Sequence, residues 1–342
     1  MPQEPLRMGV VGVGLMGERH ARVIARIRGC ILAALADVDE ERVRRIAGEL
    51  GAAAYTDFHT MLREAELDAV SICLPDDRHL EAALAAAAAG KAILLEKPIA
   101  TRVDEAVAIV EACRQAGVIL QVGHLLRFDN RYASVKQAID RGDLGEIVHI
   151  TAHRNSPWTQ GPSRYRPGTS LTMHVAVHDL DLVNWYTGSR PVRVYAERVR
   201  KRLRDRDMDD AVTAILRFES GAVATLQYSW VLPARSVTQL DARLEVLGTR
   251  GMATVGTYHG QSVLVATDDG ADAPDVHHGP TLAGQVKGDV REEIMAFVET
   301  VLKGGKPLVD GADALLAVQE AEAIERSLRL GTPVLLDEAR AR

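Results

Sequence analysis

The 342-residue chain is short of cysteine, of excess basic charge and of long apolar runs, and each shortage removes a class of protein. There are 3 cysteines, Cys30, Cys73 and Cys113, an odd number with no CxxC spacing. That excludes a disulfide framework and favours a reducing compartment, with Cys73, inside the run Ala69-Val70-Ser71-Ile72-Cys73-Leu74, read as a small buried hydrophobe. Lysine plus arginine number 41 against 47 aspartate plus glutamate, a net charge of -6, the wrong balance for a general nucleic-acid binder. No stretch reaches the roughly 18 uninterrupted apolar residues of a membrane span. The first apolar run, Met8-Gly9-Val10-Val11, breaks at glycine without making a secretory core, so the cytoplasm is the expected location. No internal repeat is visible, which sets solenoids aside.

What is present is ordinary globular material, 47% hydrophobic and 26% charged, in a length that suits two domains. Up to about residue 122, short apolar runs alternate with helical patterns: Met8–Val11, Ile31–Ala36, Ala69–Leu74, Ile93–Leu95 and Ile119–Val122 read as strands. The intervening helices fall near 21–27, 40–50, 80–89 and 104–116. This βαβ rhythm predicts a parallel, doubly wound sheet covered on both faces. After about residue 145, strand-like runs follow one another: Ile147–His153, Val192–Arg198, Ala211–Phe218, Ala222–Ser229, Ala242–Leu247 and Val263–Thr267. Several alternate apolar with polar residues, the mark of a large, mostly antiparallel sheet with one exposed face. Helices return near 289–302 and 311–330. The expected fold is α/β: a Rossmann domain over 1–125 and an α+β domain over 126–342, joined near 123–130. The charge-dense stretch Arg198–Asp210 reads as a solvated loop, with Asp209 and Asp210 structural.

Gly12-Val13-Gly14-Leu15-Met16-Gly17 follows the first strand and opens a helix, and Asp37 ends the second strand. That is the context a GxGxxG motif needs to bind a dinucleotide. Gly12 permits the turn, Gly14 lets backbone approach a pyrophosphate, and Gly17 lets helix and strand pack closely. The first helix amides and the positive end of the dipole face the diphosphate. Asp37 accepts from ribose hydroxyls and repels a 2′-phosphate, while Val38 offers no cation, so NAD is expected over NADP.

Three further segments stand in order along the chain: Leu74-Pro75-Asp76-Asp77-Arg78-His79, Glu96-Lys97-Pro98, and His174-Val175-Ala176-Val177-His178-Asp179-Leu180-Asp181. Together with the glycine motif and Val122-Gly123-His124-Leu125-Leu126-Arg127-Phe128, they closely resemble the Gfo/Idh/MocA oxidoreductase family over nearly the whole chain. The resemblance places Leu74, Pro75, His79 and Glu96 beside the cofactor with Gly12, Gly14, Leu15, Met16, Gly17 and Asp37. It puts Lys97 at the nicotinamide as a proton-relaying catalytic group and makes His178 the general base. The family's aspartate four residues earlier is replaced by His174, which on a continuous helix would share a face with His178. His174 is read either as a substrate contact or as a packing residue. Arg127, Arg154, Trp158, Arg164, Tyr165 and Arg166 would border the cleft, and arginine with aromatic faces suits an anionic or nucleotide-linked sugar. The His-Asp-x-Asp form at 178–181 is most similar to members acting on UDP-N-acetyl sugars.

The resemblance therefore implies an NAD-dependent dehydrogenase that oxidises a ring secondary alcohol of a sugar, cyclitol or nucleotide sugar, working as a homodimer or homotetramer. Two other readings are weighed with it: redox-neutral processing of a glycoside with NAD retained, and a non-catalytic NAD sensor. His174, His178 and Asp181 also have the spacing of a metal face, but nothing follows His174 as in HExxH, and nicotinamide chemistry needs no ion, so no metal is expected.

Overall fold

The computed structural model describes residues 4–159, 170–256, 265–267, 270–272 and 276–336. The chain divides into two compact units, Met1–Asp129 with His277–Leu315, and Asn130–Val276 with Leu316–Arg342. This departs from a single cut near residue 125, because a late segment returns to the first unit.

The first unit is built on six parallel strands: β1 (Leu6–Val11), β2 (Cys30–Ala36), β3 (Ala53–Tyr55), β4 (Ala69–Ile72), β5 (Ala92–Glu96) and β6 (Leu120–Gly123). Their order is β3-β2-β1-β4-β5-β6. The direction of winding reverses between β1 and β4, and ligands of doubly wound sheets bind at the carboxyl edge of that switch point. The loop after β1 is the glycine motif. The connecting helices are α1 (Leu15–Ile24), α2 (Glu40–Leu50), α3 (Phe58–Glu64), α4 (His79–Ala88) and α5 (Val103–Ala116). Helix α2 shows how local sequence sets its limits. Asp39 caps it by accepting from the Arg42 amide at 3.0 Å, Gly51 ends it in the left-handed conformation at φ 71°, and Val43, Ile46 and Ala47 form its buried stripe.

The core under β1 and β2 includes Met8, Val10, Leu32 and Leu35, together with Val290, Ile294, Phe297 and Val298 from α8 (Asp289–Lys303). Those four side chains are fully buried there, each contributing about 1.5–3 kcal/mol of transfer free energy where it is large and apolar. Their i, i+4, i+7, i+8 spacing is why the late helix belongs with the first sheet.

The second unit carries α6 (Asn130–Asp140), α7 (Val177–Thr187) and most of α9 (Gly311–Leu330), with a seven-stranded sheet. Its strands are β7 (Ile147–Pro157), β8 (Pro191–Val199), β9 (Ala211–Phe218), β10 (Val223–Leu232), β11 (Asp241–Gly248), β12 (Met252–Gly256) and the short Val334–Leu335. The order runs β12-β11-β7-β10-β9-β8 and ends at Val334–Leu335. Every neighbouring pair is antiparallel except β7 with β10. Strand β9 alternates as expected, with Val212, Ala214, Leu216 and Phe218 buried and Thr213, Ile215 and Arg217 turned outward. The run ahead of Thr267 is described only at Val265–Thr267, which pairs with Gly270–Asp272. Asp210 accepts from the amides of Lys201, Arg202 and Leu203 at 2.8, 2.7 and 2.8 Å, so the charge-dense loop is ordered around a structural aspartate. Among the described residues, no helix is long and apolar enough to cross a membrane.

Candidate active site and cofactor loop

The glycine loop is as tight as its sequence demands. Gly12 has φ 83°, and a side-chain carbon on it would lie 2.8 Å from the Cys73 carbonyl oxygen. One on Gly17 would sit 1.7 Å from the Gly12 oxygen, so α1 can pack on β1 only without a side chain there. Gly14 is different: a side-chain carbon would meet nothing within 4 Å. Its open side leaves room for a ligand against backbone. Helix α1 has no side-chain cap, so its first-turn amides are left to a bound group, and Leu15 stands exposed beside them. Asp37 accepts from the Val13 amide at 2.7 Å and the Asp39 amide at 2.9 Å, which fixes its carboxylate beside the loop. Arg42 brings a guanidinium nitrogen to 3.6 Å from Asp37, a cation that the reading of Val38 alone missed. It also pairs with Asp39 at 2.8 Å. An anion-receptive helix end, an open glycine and a fixed carboxylate suit a dinucleotide whose ribose hydroxyls are free.

The loops after β4 and β5 join this one. His79 is buried, with Nδ1 2.8 Å from the Pro98 carbonyl and Nε2 3.0 Å from the Leu74 carbonyl. Its ring links the Leu74-Pro75 loop to the Lys97-Pro98 loop, whose peptide bond is cis. Burial lowers the His79 pKa, the two carbonyls pulling less strongly the other way. Glu96 ends β5 facing inward. One of its oxygens accepts from the Lys97 amide at 3.2 Å, and the other lies 3.3 Å from Nε2 of His20 on α1. His20 Nδ1 meets Ser71 Oγ at 2.8 Å. Burial opposes protonation of His20, but Cys73 and Glu96 outweigh it and raise its pKa well above the usual histidine range. Burial pulls the Glu96 carboxyl the other way, yet His20, with the charges of Lys97 and His79, holds it below its ordinary value. Glu293 of α8 completes the group, fully buried and driven well up by burial and the Glu96 charge.

In the second unit, the histidine segment is not one continuous α-helix. A π turn spans Thr172–Ala176, and α7 begins at Val177. The four-residue spacing of His174 and His178 therefore crosses a change of helix type, so a shared α-helical face no longer follows from it. The His174 ring lies 6.0 Å from the Trp230 ring, tilted by 57°. Among the described residues, His174, His178 and Asp181 do not converge as a group of metal ligands. Arg154 is buried against Asp179 of α7 in a two-pronged pair at 2.9 and 2.8 Å, which anchors the start of that helix. Arg202 covers the Trp158 ring at 4.4 Å. Arg127 is also buried, donating to the Leu308 carbonyl at 3.0 Å and to Asp313 at 3.1 Å within the first unit. Arg164, Tyr165 and Arg166 lie outside the described residues.

Residues 6–124 match the model of the oxidoreductase family with an NAD-binding Rossmann fold, and residues 132–254 match the GFO/IDH/MocA C-terminal domain. Myo-inositol 2-dehydrogenase of Thermotoga maritima is 30% identical over 97% of this chain and 99% of its own length. The chain belongs to the Gfo/Idh/MocA family. Within it, scyllo-inositol 2-dehydrogenase (NAD(+)) of Bacillus subtilis is 28% identical over 99% of this chain and 98% of its own. The crystal structure of myo-inositol 2-dehydrogenase from Lactobacillus plantarum superposes with TM-score 0.84 at 27% identity, covering 97% of this chain and 99% of that one. As a member of the family the chain is an NAD-dependent dehydrogenase acting on CH–OH groups, with NAD as cofactor.

Three contributors to the site escaped the sequence reading: His20, Ser71 and Glu293. His20 had a signal, an ionisable residue three places after Gly17 on the buried stripe of α1 with Ala21 and Ile24. Glu293 had none, being one acid among several in a late amphipathic helix.

Proposed function

We propose that the protein oxidises a ring secondary alcohol of a cyclitol, or of a closely similar sugar, using NAD. The observation that supports this reading is that the loop after β5 is tied down by His79, which meets the Pro98 carbonyl, and by Glu96, which accepts from the Lys97 amide, at the carboxyl edge where parallel sheets bind ligands. The inositol dehydrogenases among its relatives favour a cyclitol over a nucleotide sugar. In this reading Lys97 donates to the reacting hydroxyl and stabilises the developing alkoxide, and His178 takes the hydroxyl proton. The hydride leaves the same carbon for the nicotinamide, which is the chemistry NAD supplies when bound. His174 and Trp158 are assigned to the substrate side, where an imidazole and an indole suit a polyol ring.

The test is NADH formation with myo-inositol, scyllo-inositol, aldoses, uronates and UDP-sugars, in wild type, Lys97→Ala and His178→Ala. Steady NADH accumulation with a cyclitol, lost by roughly 100-fold or more in both variants, is the expected result. Equal turnover in both variants would overturn the catalytic assignment. Product formed without net NADH would replace oxidation by a redox-neutral cycle.

A further inference from the structure

Behind Lys97 the first unit encloses three ionisable side chains from distant parts of the chain. A ring nitrogen of His20, a Glu96 oxygen and a Glu293 oxygen lie within 4.8 Å of one another, all buried. Glu96 spans the group: one oxygen faces His20, and the other accepts from the Lys97 amide at 3.2 Å. Neither Glu293 oxygen has a hydrogen-bond partner, and the side chain has no exposed surface. A carboxylate so placed would forfeit its hydration with no cation of its own, so the neutral acid is the form burial allows. We propose that Glu96 is a positioning residue for Lys97, kept as the anion by protonated His20 while Glu293 stays a neutral acid.

This rests on the role given to Lys97 above, and it explains why a buried carboxylate precedes that lysine. The carboxylate holds the Lys97 backbone in place, and its charge favours the ammonium form that donates to the substrate. The ionisable neighbours that act on the group are Cys73 beyond β4, His79 on α4, and Asp289 one turn before Glu293 on α8. Asp289 is itself paired with His278 at 2.6 Å. Charge then totals zero within the group, His20 against Glu96.

The test reads the Lys97 titration directly and needs no substrate. In the NAD-bound enzyme, lysines are converted to their 13C-dimethyl forms and followed by NMR against pH, the Lys97 signal being the one absent from Lys97→Ala. Glu96→Gln should lower that titration by about 1 unit or more, the usual influence of one adjacent opposite charge. A Lys97 titration unmoved in Glu96→Gln overturns the role of Glu96. Infrared spectra at neutral pH give a second measurement that does not depend on that variant folding. Wild type should show a buried protonated-carboxyl band that Glu293→Gln removes, and His20→Gln should add a second band as Glu96 takes up a proton. Absence of either effect overturns the charge assignment. So does one equivalent of tightly bound metal in the purified enzyme, since two carboxylates and an imidazole also make a divalent-cation donor set. Full activity in Lys97→Ala, with the titration shift intact, would instead remove Lys97 from catalysis and leave the Glu96–Lys97 coupling standing.

Discussion

Arg154 with Asp179 in the second unit, and His20 with Glu96 and Glu293 in the first, are all withdrawn from water. The arginine and aspartate meet through two parallel hydrogen bonds, with charge and geometry both satisfied. His20 and Glu96 meet at 3.3 Å on one side only, and neither carboxyl oxygen of Glu293 has a hydrogen-bond partner among the described residues. A fully matched pair holds a helix in place and has nothing left over. An undermatched group can change its protonation or act on a neighbour, and the one in the first unit adjoins Lys97. The lesson is that burial of charge does not by itself mark function; the residual mismatch does.

The matched pair is where substitution costs most. Arg154→Met or Asp179→Asn should each cost about 3–5 kcal/mol in denaturant unfolding, because each leaves an uncompensated buried group. Replacing both by apolar residues of similar volume should cost much less. If the single changes cost under about 1 kcal/mol, the pair is not the anchor that its geometry implies.

Gly17→Ala should act on the first unit alone. Its side-chain carbon cannot coexist with the Gly12 oxygen, so the loop must distort, and strain of about 1–3 kcal/mol weakens NAD binding by roughly 5- to 150-fold. Fluorescence titration of the variant with NADH measures this. An affinity within twofold of wild type would mean the loop yields more freely than its contacts allow.

Asp37→Ala should be milder, about 1–2 kcal/mol from the lost acceptor of the Val13 amide. It should also narrow the preference for NAD over NADP, since Arg42 loses one of its two carboxylates. The ratio of kcat/KM for the two cofactors tests this, and an unchanged ratio would take Asp37 out of cofactor discrimination.

The smallest effect sharpens the comparison within the second unit. Glu320 is buried, and although Asn184 donates to it at 2.8 Å, burial drives its carboxyl pKa well up. A group raised in the folded state favours folding fully below its unfolded value, and that favour is lost as pH rises through the folded value. Glu320 should therefore contribute a fall in melting temperature from about pH 4.5 upward, read as a pH-dependent difference between wild type and Glu320→Gln. A slope unchanged in Glu320→Gln would place the pH dependence elsewhere, with Glu293 the next candidate.

The first sheet was legible in outline because each of its long strands is a continuous apolar run followed by a helix. Strand β3 was not, for it is three residues at an edge, Ala53 and Ala54 exposed, with no periodicity to read. The parallel pairing of β7 with β10 was hidden for another reason: strand patterns report which residues face inward, not which neighbour supplies the hydrogen bonds. At the site, the glycine loop and Asp37 follow from local chemistry, and Asp37 accepts from the Val13 amide within that loop. The π turn before α7 leaves no mark in composition, so the spacing of His174 and His178 promised a regularity that the backbone does not keep.

Helix α8 has a consequence for how the protein is made. The chain leaves the ribosome from its amino terminus, so β1 to β6 are all synthesised long before Val290, Ile294, Phe297 and Val298 exist to cover part of their core. During that interval the nascent nucleotide domain carries an open apolar face and an incomplete charge group, and six of the seven strands of the second sheet must be translated before either can close. A nascent chain halted before Asp289 should therefore engage chaperones at that face, and the cofactor loop gains its finished support only near the end of synthesis.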